Sequence, residues 1–307
     1  MPRPLRVATR GSELARWQAR RVAALLGGDV ELLVITTTGD ANTDVPIHAV
    51  GGTGIFVKEV QQAVLDERAD LAVHSAKDLP ASAAPDGIVL AAVPERADPR
   101  DALVGSTLDA LPAGARIGTG SVRRRAQLAA LRPDLTFAEL RGNIPTRIER
   151  ASEFDAIVVA VAALERLGLE DRAAEILEPS LMLPQVGQGA LAVECRTDDA
   201  ETRERLATID DTLAHAAVGA ERAFLAQLGG GCDLPCGALA SIEQGEVVVQ
   251  ALLASADGRV VLRATTRAAS PISAGIAAAS ELLDHGGRDL LELDDVSDPG
   301  GPEDATE

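Results

Sequence analysis

Residues 116–150 hold eight arginines (Arg116, Arg123, Arg124, Arg125, Arg132, Arg141, Arg147 and Arg150) against three acids, Asp134, Glu139 and Glu149. This is a local surplus of five positive charges in a chain whose formal net charge is −18. Of 29 basic residues only Lys58 and Lys77 are lysine, a skew that base composition alone can produce, and long charged side chains mostly sit in solvent. About half of these arginines are therefore expected on a solvated surface, and position singles out the rest. Arg123 and Arg124 follow Gly118-Thr-Gly-Ser121 where a strand is predicted to turn into a helix. Free backbone N–H groups, hydroxyls and the helix dipole favour an anion at such a turn. Arg141-Gly-Asn143 and Arg147 open the next helix. Forked guanidinium groups suit bidentate binding of carboxylates, so a cleft rimmed by them suits a ligand with several.

Two further segments carry chemistry. His74-Ser-Ala-Lys-Asp-Leu-Pro80 lies where a strand leaves its sheet, and Arg10-Gly-Ser12 leaves the first strand in the equivalent position. Lys77 and Asp78 can form a plain surface ion pair. Alternatively, Asp78 is a proton donor or electrostatic stabiliser whose charge state the lysine tunes. Gly229-Gly-Gly-Cys-Asp-Leu-Pro235 sets Cys232 on a flexible loop. Lone cysteines are commonly small core hydrophobes, as expected of Cys195. Three glycines and an acid around Cys232 favour covalent attachment or nucleophilic use instead.

The elements that position these groups alternate. Strands over 5–9, 31–36, 71–74 and 88–93 frame helices over 13–26 and 55–67. After a hinge at 94–100 the alternation restarts, with strands at 116–118, 136–140 and 156–161 and helices at 121–131 and 145–151. Such alternation predicts βαβ units with mostly parallel sheets. A strand at 191–194 is expected to return to the first unit. Beyond a helix over 212–228 come three antiparallel strands, joined by Gln244-Gly245 and Asp257-Gly258 turns, and a helix over 272–284. The expected division is a first lobe of residues 1–93 and 190–210 and a second of 94–189. A C-terminal α+β domain over 211–290 and an acidic, disordered tail over 291–307 complete it. Residues 289–307 contain eight acids and no base, which accounts for much of the net charge.

Composition excludes several roles. Five aromatic residues argue against a base-stacking platform, and the net charge disfavours polyphosphates and anionic membranes. The longest apolar run, nine residues from Ala156 to Leu164, is far short of the ~20 a membrane helix needs. Three cysteines give no disulfide framework, and four scattered histidines give no metal-ligand spacing. Met1 leads directly into a strand-like segment with no apolar leader, so a soluble, cytoplasmic chain is expected.

Ala8-Thr-Arg10, Gly51-Gly52, Phe56-Val-Lys-Glu59, Ala72-Val-His-Ser-Ala-Lys-Asp-Leu-Pro80, Asp98-Pro-Arg-Asp101, Gly118-Thr-Gly-Ser-Val-Arg-Arg124, Leu140-Arg-Gly-Asn143, Val186-Gly-Gln-Gly189 and Gly230-Gly-Cys232 occur in that order. Together they resemble the hydroxymethylbilane synthase (porphobilinogen deaminase) family over residues 5 to 290. The resemblance implies two periplasmic-binding-protein-like lobes plus a third domain, in a monomer. It implies a transferase that condenses four porphobilinogen molecules head to tail into hydroxymethylbilane, with loss of ammonia, in tetrapyrrole biosynthesis. It also implies a dipyrromethane cofactor held by a thioether, here on Cys232. Each porphobilinogen carries an acetate and a propionate, which accords with an arginine-rich cleft. Asp78 falls at the position of the catalytic carboxylate, with Lys77 beside it. Ser12, Lys77, Asp78, Ser121, Arg123, Arg124 and Arg147 match cofactor contacts, and Arg10, Ser12, Arg141, Arg147 and Gln188 match substrate contacts.

The pattern is departed from at Thr53, where many relatives have lysine, and at Gly120, Pro145 and the extra thiol Cys236. Two other classes remain on the residues alone. One is a solute-binding receptor or effector sensor, which needs only the arginines but is expected to carry a signal peptide or a DNA-binding segment. The other is a Schiff-base enzyme using Lys77, which borohydride trapping would reveal.

Overall fold

The computed structural model describes residues 4–37, 57–82, 84–230 and 234–296, without the side chains of 293–296. The first α/β unit contains β1 (Leu5–Arg10), α1 (Glu13–Leu26), β2 (Val30–Ile35), α2 (Lys58–Leu65), β3 (Leu71–Ser75) and β4 (Ile88–Ala92). The second contains β5 (Asp101–Val104), β6 (Arg116–Gly118), α3 (Val122–Leu131), β7 (Thr136–Ala138), α4 (Ile144–Glu149), β8 (Ala156–Ala160), α5 (Val161–Leu167) and β9 (Glu175–Leu177). The chain then returns to the first sheet as β10 (Leu191–Arg196), followed by α6 (Ala200–Ala207).

The two sheets share one topology. Their strand orders are β2-β1-β3-β10-β4 and β7-β6-β8-β5-β9. In each, three strands pair in parallel and the rest antiparallel. The antiparallel strands β5 and β10 are those that directly follow a crossing between units. A chain arriving from the neighbouring unit enters its sheet from the opposite end to a strand that follows its own crossover helix. Every residue of β8 is buried, as expected of a strand covered on both faces.

The third unit is a helix, α7 (Thr212–Gln227), then an antiparallel sheet of β11 (Cys236–Glu243), β12 (Glu246–Ala254) and β13 (Val261–Ala268), then α8 (Pro271–Leu282) and α9 (Arg288–Val296). Phe224, Leu253 and Leu282 centre its apolar core. The tail expected to be disordered from residue 291 therefore begins as a helix. Leu290 and Leu291 pack on that core, a signal that the run of acids obscured. Strands β5 and β9 and helices α5 to α6 were not legible in the sequence. The charged Asp101 opens β5, and α5 continues the apolar run of β8, where periodicity does not separate strand from helix. No described helix is long and apolar enough to cross a membrane.

The two crossing segments are tied to each other and to α7. Ala97 N donates to Gly189 O at 3.2 Å, and Arg96 Nε to Gln188 O at 2.9 Å. Glu221 of α7, with 0% exposure, accepts from Arg96 Nη1 (2.6 Å), Arg96 Nη2 (3.1 Å), Gly187 N (2.7 Å) and Ala240 N (2.9 Å). Gly187, at φ +72°, lies against the turn that carries Lys77; a Cβ there would stand 3.0 Å from Lys77 N. Arg166 of α5 donates to Gly189 O at 2.6 Å and stacks over Trp17 of α1 at 5.7 Å, clasping the two α/β units. Glu221→Ala would leave Arg96 and two backbone N–H groups without their buried acceptor. We expect it to lower unfolding stability by about 3–5 kcal/mol in denaturant titration; a loss under about 1 kcal/mol would contradict this reading.

Candidate functional site

Two loops of the first unit build one wall. β1 ends at Arg10, and Ser12 caps α1 by accepting from Ala15 N at 3.2 Å. β3 ends at Ser75, which receives Gln18 Nε2 at 2.7 Å, and a single 3₁₀ turn over Ala76–Asp78 follows. Arg10, Ser12, Gln18, His74, Ser75 and Asp78 line one cavity there. Two sequence motifs about 65 residues apart are thus brought together by the parallel pairing of β1 with β3. A larger cavity, about 250 Å³, is lined by Lys58, Gln61, Ser82, Glu194 and Arg222 among others, and includes none of the expected site residues.

The opposite wall belongs to the second unit. Ser121 caps α3, accepting from Arg124 N at 3.4 Å. Arg123 and Arg124, in the first turn, are both buried on Asp101 of β5. Arg123 Nη2 reaches Asp101 Oδ2 at 2.7 Å and its Nη1 reaches Leu183 O at 2.6 Å. Arg124 Nε and Nη2 reach Asp101 Oδ1 at 3.1 and 2.7 Å, and its Nη1 reaches Val158 O at 2.9 Å. Neither guanidinium spends all five N–H donors, and the buried Nε of Arg123 has no hydrogen-bond partner among the described residues. Arg147, on α4, is half-buried and donates to Gly142 O at 2.8 Å. Arg141 is half-buried 3.9 Å from Glu139.

The charges on the two walls feel one another. Burial, reinforced by Arg124 and Arg123, pushes Lys77 down to about 8, against the opposing pull of Asp78 and Asp101. Burial and then Arg124 also push Arg147 down to about 10, with Glu139, Arg141 and Asp78 in range. Burial alone would raise Asp101, but Arg123 and Arg124 overrule it and hold that carboxyl well below the usual carboxylate range. Arg10, Lys77, Arg123, Arg124, Arg141 and Arg147 thus lie about the two walls, and Asp78, Asp101 and Glu139 are the acids that act on Lys77 and Arg147. Such a surplus of cations suits a ligand with several carboxylates.

Three residues are placed by the structure in ways the sequence does not show. Gln188, expected to touch substrate, has 0% exposure: its amide nitrogen is on Pro99 O (2.7 Å) and Asp101 Oδ1 (2.9 Å), and its oxygen receives Lys77 Nζ at 3.4 Å. Arg132, one of the arginines that position does not single out, donates to Asp134 and to Leu108 O, so its part is local stability, while Arg125 is exposed. Asp101 was quoted in a motif without a role, because a single acid opening a short strand gives no periodic signal. Cys232 and Thr53 lie outside the described residues. Five residues past Cys232, a Cβ added at Gly237 near the start of β11 would meet Pro184 O and Leu183 O and stand 3.4 Å from Arg123 Cδ.

Comparison with known proteins adds the following. A family model described as porphobilinogen deaminase, dipyromethane cofactor binding domain, matches residues 5–204. A second, described as porphobilinogen deaminase, C-terminal domain, matches residues 215–284. A porphobilinogen deaminase of Roseiflexus sp. (strain RS-1) is 50% identical over 302 residues, covering 95% of this chain and 99% of that one. One of Acidithiobacillus ferrooxidans (strain ATCC 53993 / BNL-5-31) is 46% identical over 302 residues, covering 95% and 98%. Among solved structures, a TRAP periplasmic solute binding protein from Ralstonia eutropha H16 aligns with 13% identity and a TM-score of 0.38, over 68% of this chain and 76% of that one.

Proposed function

Because the chain belongs to the porphobilinogen deaminase family, we infer that the two-walled cleft is where it carries out that family's reaction. The chain is a transferase, a hydroxymethylbilane synthase. It joins four porphobilinogen molecules head to tail, releases ammonia, and uses a dipyrromethane cofactor. The observation that carries the site reading is that Arg10, Lys77 and Arg147, drawn from both α/β units, lie in range of Asp78, with Arg124 acting on both Lys77 and Arg147.

The donor set fits the cofactor. Its acetate and propionate groups call for forked donors with N–H groups to spare, and Arg123 and Arg124 retain them beside the Ser121 cap. Ser12, Lys77 and Arg147 complete that set, and Cys232 supplies the thioether. When bound, the cofactor supplies a free pyrrole carbon as the primer for condensation. Arg10, Arg141 and Arg147 orient the carboxylates of the incoming porphobilinogen. Asp78 takes part in the proton transfer that releases the amino group and then balances the cation left on the substrate. We further propose that the three units act as the three domains expected from the sequence, in a cytoplasmic monomer.

Arginine substitution tests the site. Arg123→Leu and Arg141→Leu should each weaken cofactor assembly or porphobilinogen binding by roughly ten- to a hundredfold, since a charged hydrogen bond is worth about 1.5–3 kcal/mol. Arg125→Leu should change neither, and Arg132→Leu should lower stability alone. The checks are adduct mass and KM beside thermal melting; equal losses of binding in all four would contradict the division.

A further inference from the structure

Asp101 lines neither of the two cavities described above and has 0% exposure, yet two arginines and an amide of the site are held on it. It opens β5 immediately after the chain crosses between units. Its two oxygens accept from Arg123, twice from Arg124, and from Gln188. Gln188 passes the constraint on. Its nitrogen donates to Asp101 and to Pro99 O, so both N–H groups are spent and the amide has a fixed sense. Its oxygen must therefore face the other way, where it receives Lys77 Nζ at 3.4 Å. Lys77 belongs to the first unit, and Asp101, Arg123 and Arg124 to the second.

A burial of two cations, one carboxylate and one amide, with a half-buried lysine set against the amide, is poorly explained by stability. Buried ion pairs roughly break even against apolar side chains of similar volume. The arrangement does something an apolar core could not. It grips the two guanidiniums at one edge and leaves other N–H donors unspent. It also fixes an amine on the facing wall in the same frame. A ligand with several carboxylates then meets donors already in place, which lessens the ordering cost of binding.

We propose that Asp101 is the positioning residue of this site, acting through Gln188 on Lys77 and directly on Arg123 and Arg124, so that donors from both α/β units hold one geometry toward the pyrrole carboxylates. The proposal rests on the reading of the cleft given above. Lys77 is faced by Arg123 and Arg124 from α3, by Asp101 from β5, by Asp78 on its own turn and by the Gln188 amide. Asp101 is one of the charges keeping it protonated. Removing that charge, or the amide that accepts from the ammonium, lowers the pH at which Lys77 loses its proton.

The test compares Asp101→Asn and Gln188→Met with the parent chain, all full length. Thermal melting, covalent loading after incubation with porphobilinogen (by denatured mass), and kcat and KM across pH 6–9 are read together. Gln188→Met leaves both arginine ion pairs intact and fills similar volume, so it is the variant expected to stay folded. It should lose roughly tenfold or more in kcat/KM, chiefly through KM, with the alkaline limb moved to lower pH. Asp101→Asn should show the same limb shift and a lower loaded fraction besides. If Asp101→Asn fails to fold, Gln188→Met decides alone. Variants that melt earlier while their folded fraction keeps the parent's kcat/KM and pH limb would overturn the proposal, since a merely structural role predicts that result. A parent chain that neither loads nor turns over porphobilinogen would overturn the underlying reading as well, which separates the two failures.

Discussion

Asp78→Asn folds like the parent and releases ammonia from porphobilinogen about 10²- to 10⁴-fold more slowly, the range that a positioned acid–base group contributes. The carboxylate stands at the end of β3 on a 3₁₀ turn, in the cavity shared with Arg10 and Ser12, with Lys77 next to it in sequence. An amide preserves shape and most hydrogen bonding but neither carries the proton nor balances a cation. Asp78→Glu retains both capacities in a displaced position and should therefore lose less, though a shifted carboxylate still costs rate. Ammonia release at a near-parental rate from well-folded Asp78→Asn would remove the carboxylate from the mechanism.

The second large effect divides two thiols four residues apart. Cys236→Ser should keep the covalent adduct and the activity, whereas Cys232→Ser should lose both and stay folded. Cys236 opens β11 with 6% exposure, packed in the core of the third unit and paired with Leu253. A thiol so placed is poorly accessible to an electrophile. Cys232 lies within about 14 Å of it along even a fully extended chain. In the sequence it follows three glycines, residues that restrict the backbone least, and precedes the point where β11 meets Arg123. Denatured mass and a pyrrole-detecting reagent read the outcome. An adduct that survives in Cys232→Ser and vanishes in Cys236→Ser would reverse the assignment.

The alternation of strands and helices, the return of the chain to its first sheet and the antiparallel third unit were all readable from apolar periodicity and turn residues. The site's outer contour was readable too, because motifs at strand ends and helix starts point the same way in both units. Its interior was not. Charge count places Arg123 and Arg124 in a ligand cleft, but only the packing of α3 on β5 reveals that both guanidiniums lie on one buried carboxylate. Gln188 carries no periodic or charge signal, and its role follows from the spent donors of its amide. Glu221 likewise sits unremarked within a helical pattern until both crossing segments are seen to converge on it. Nor does sequence show the carbonyls at Leu108 and Leu111 that Arg132 reaches.

The most direct test of the whole account is the intact mass of the denatured parent chain before and after incubation with porphobilinogen. The account predicts a resting covalent addition of two pyrrole units, further additions in steps of one pyrrole while substrate is present, and return to the resting mass as hydroxymethylbilane is released. An unmodified polypeptide mass that persists through incubation, with no ammonia released, would contradict it.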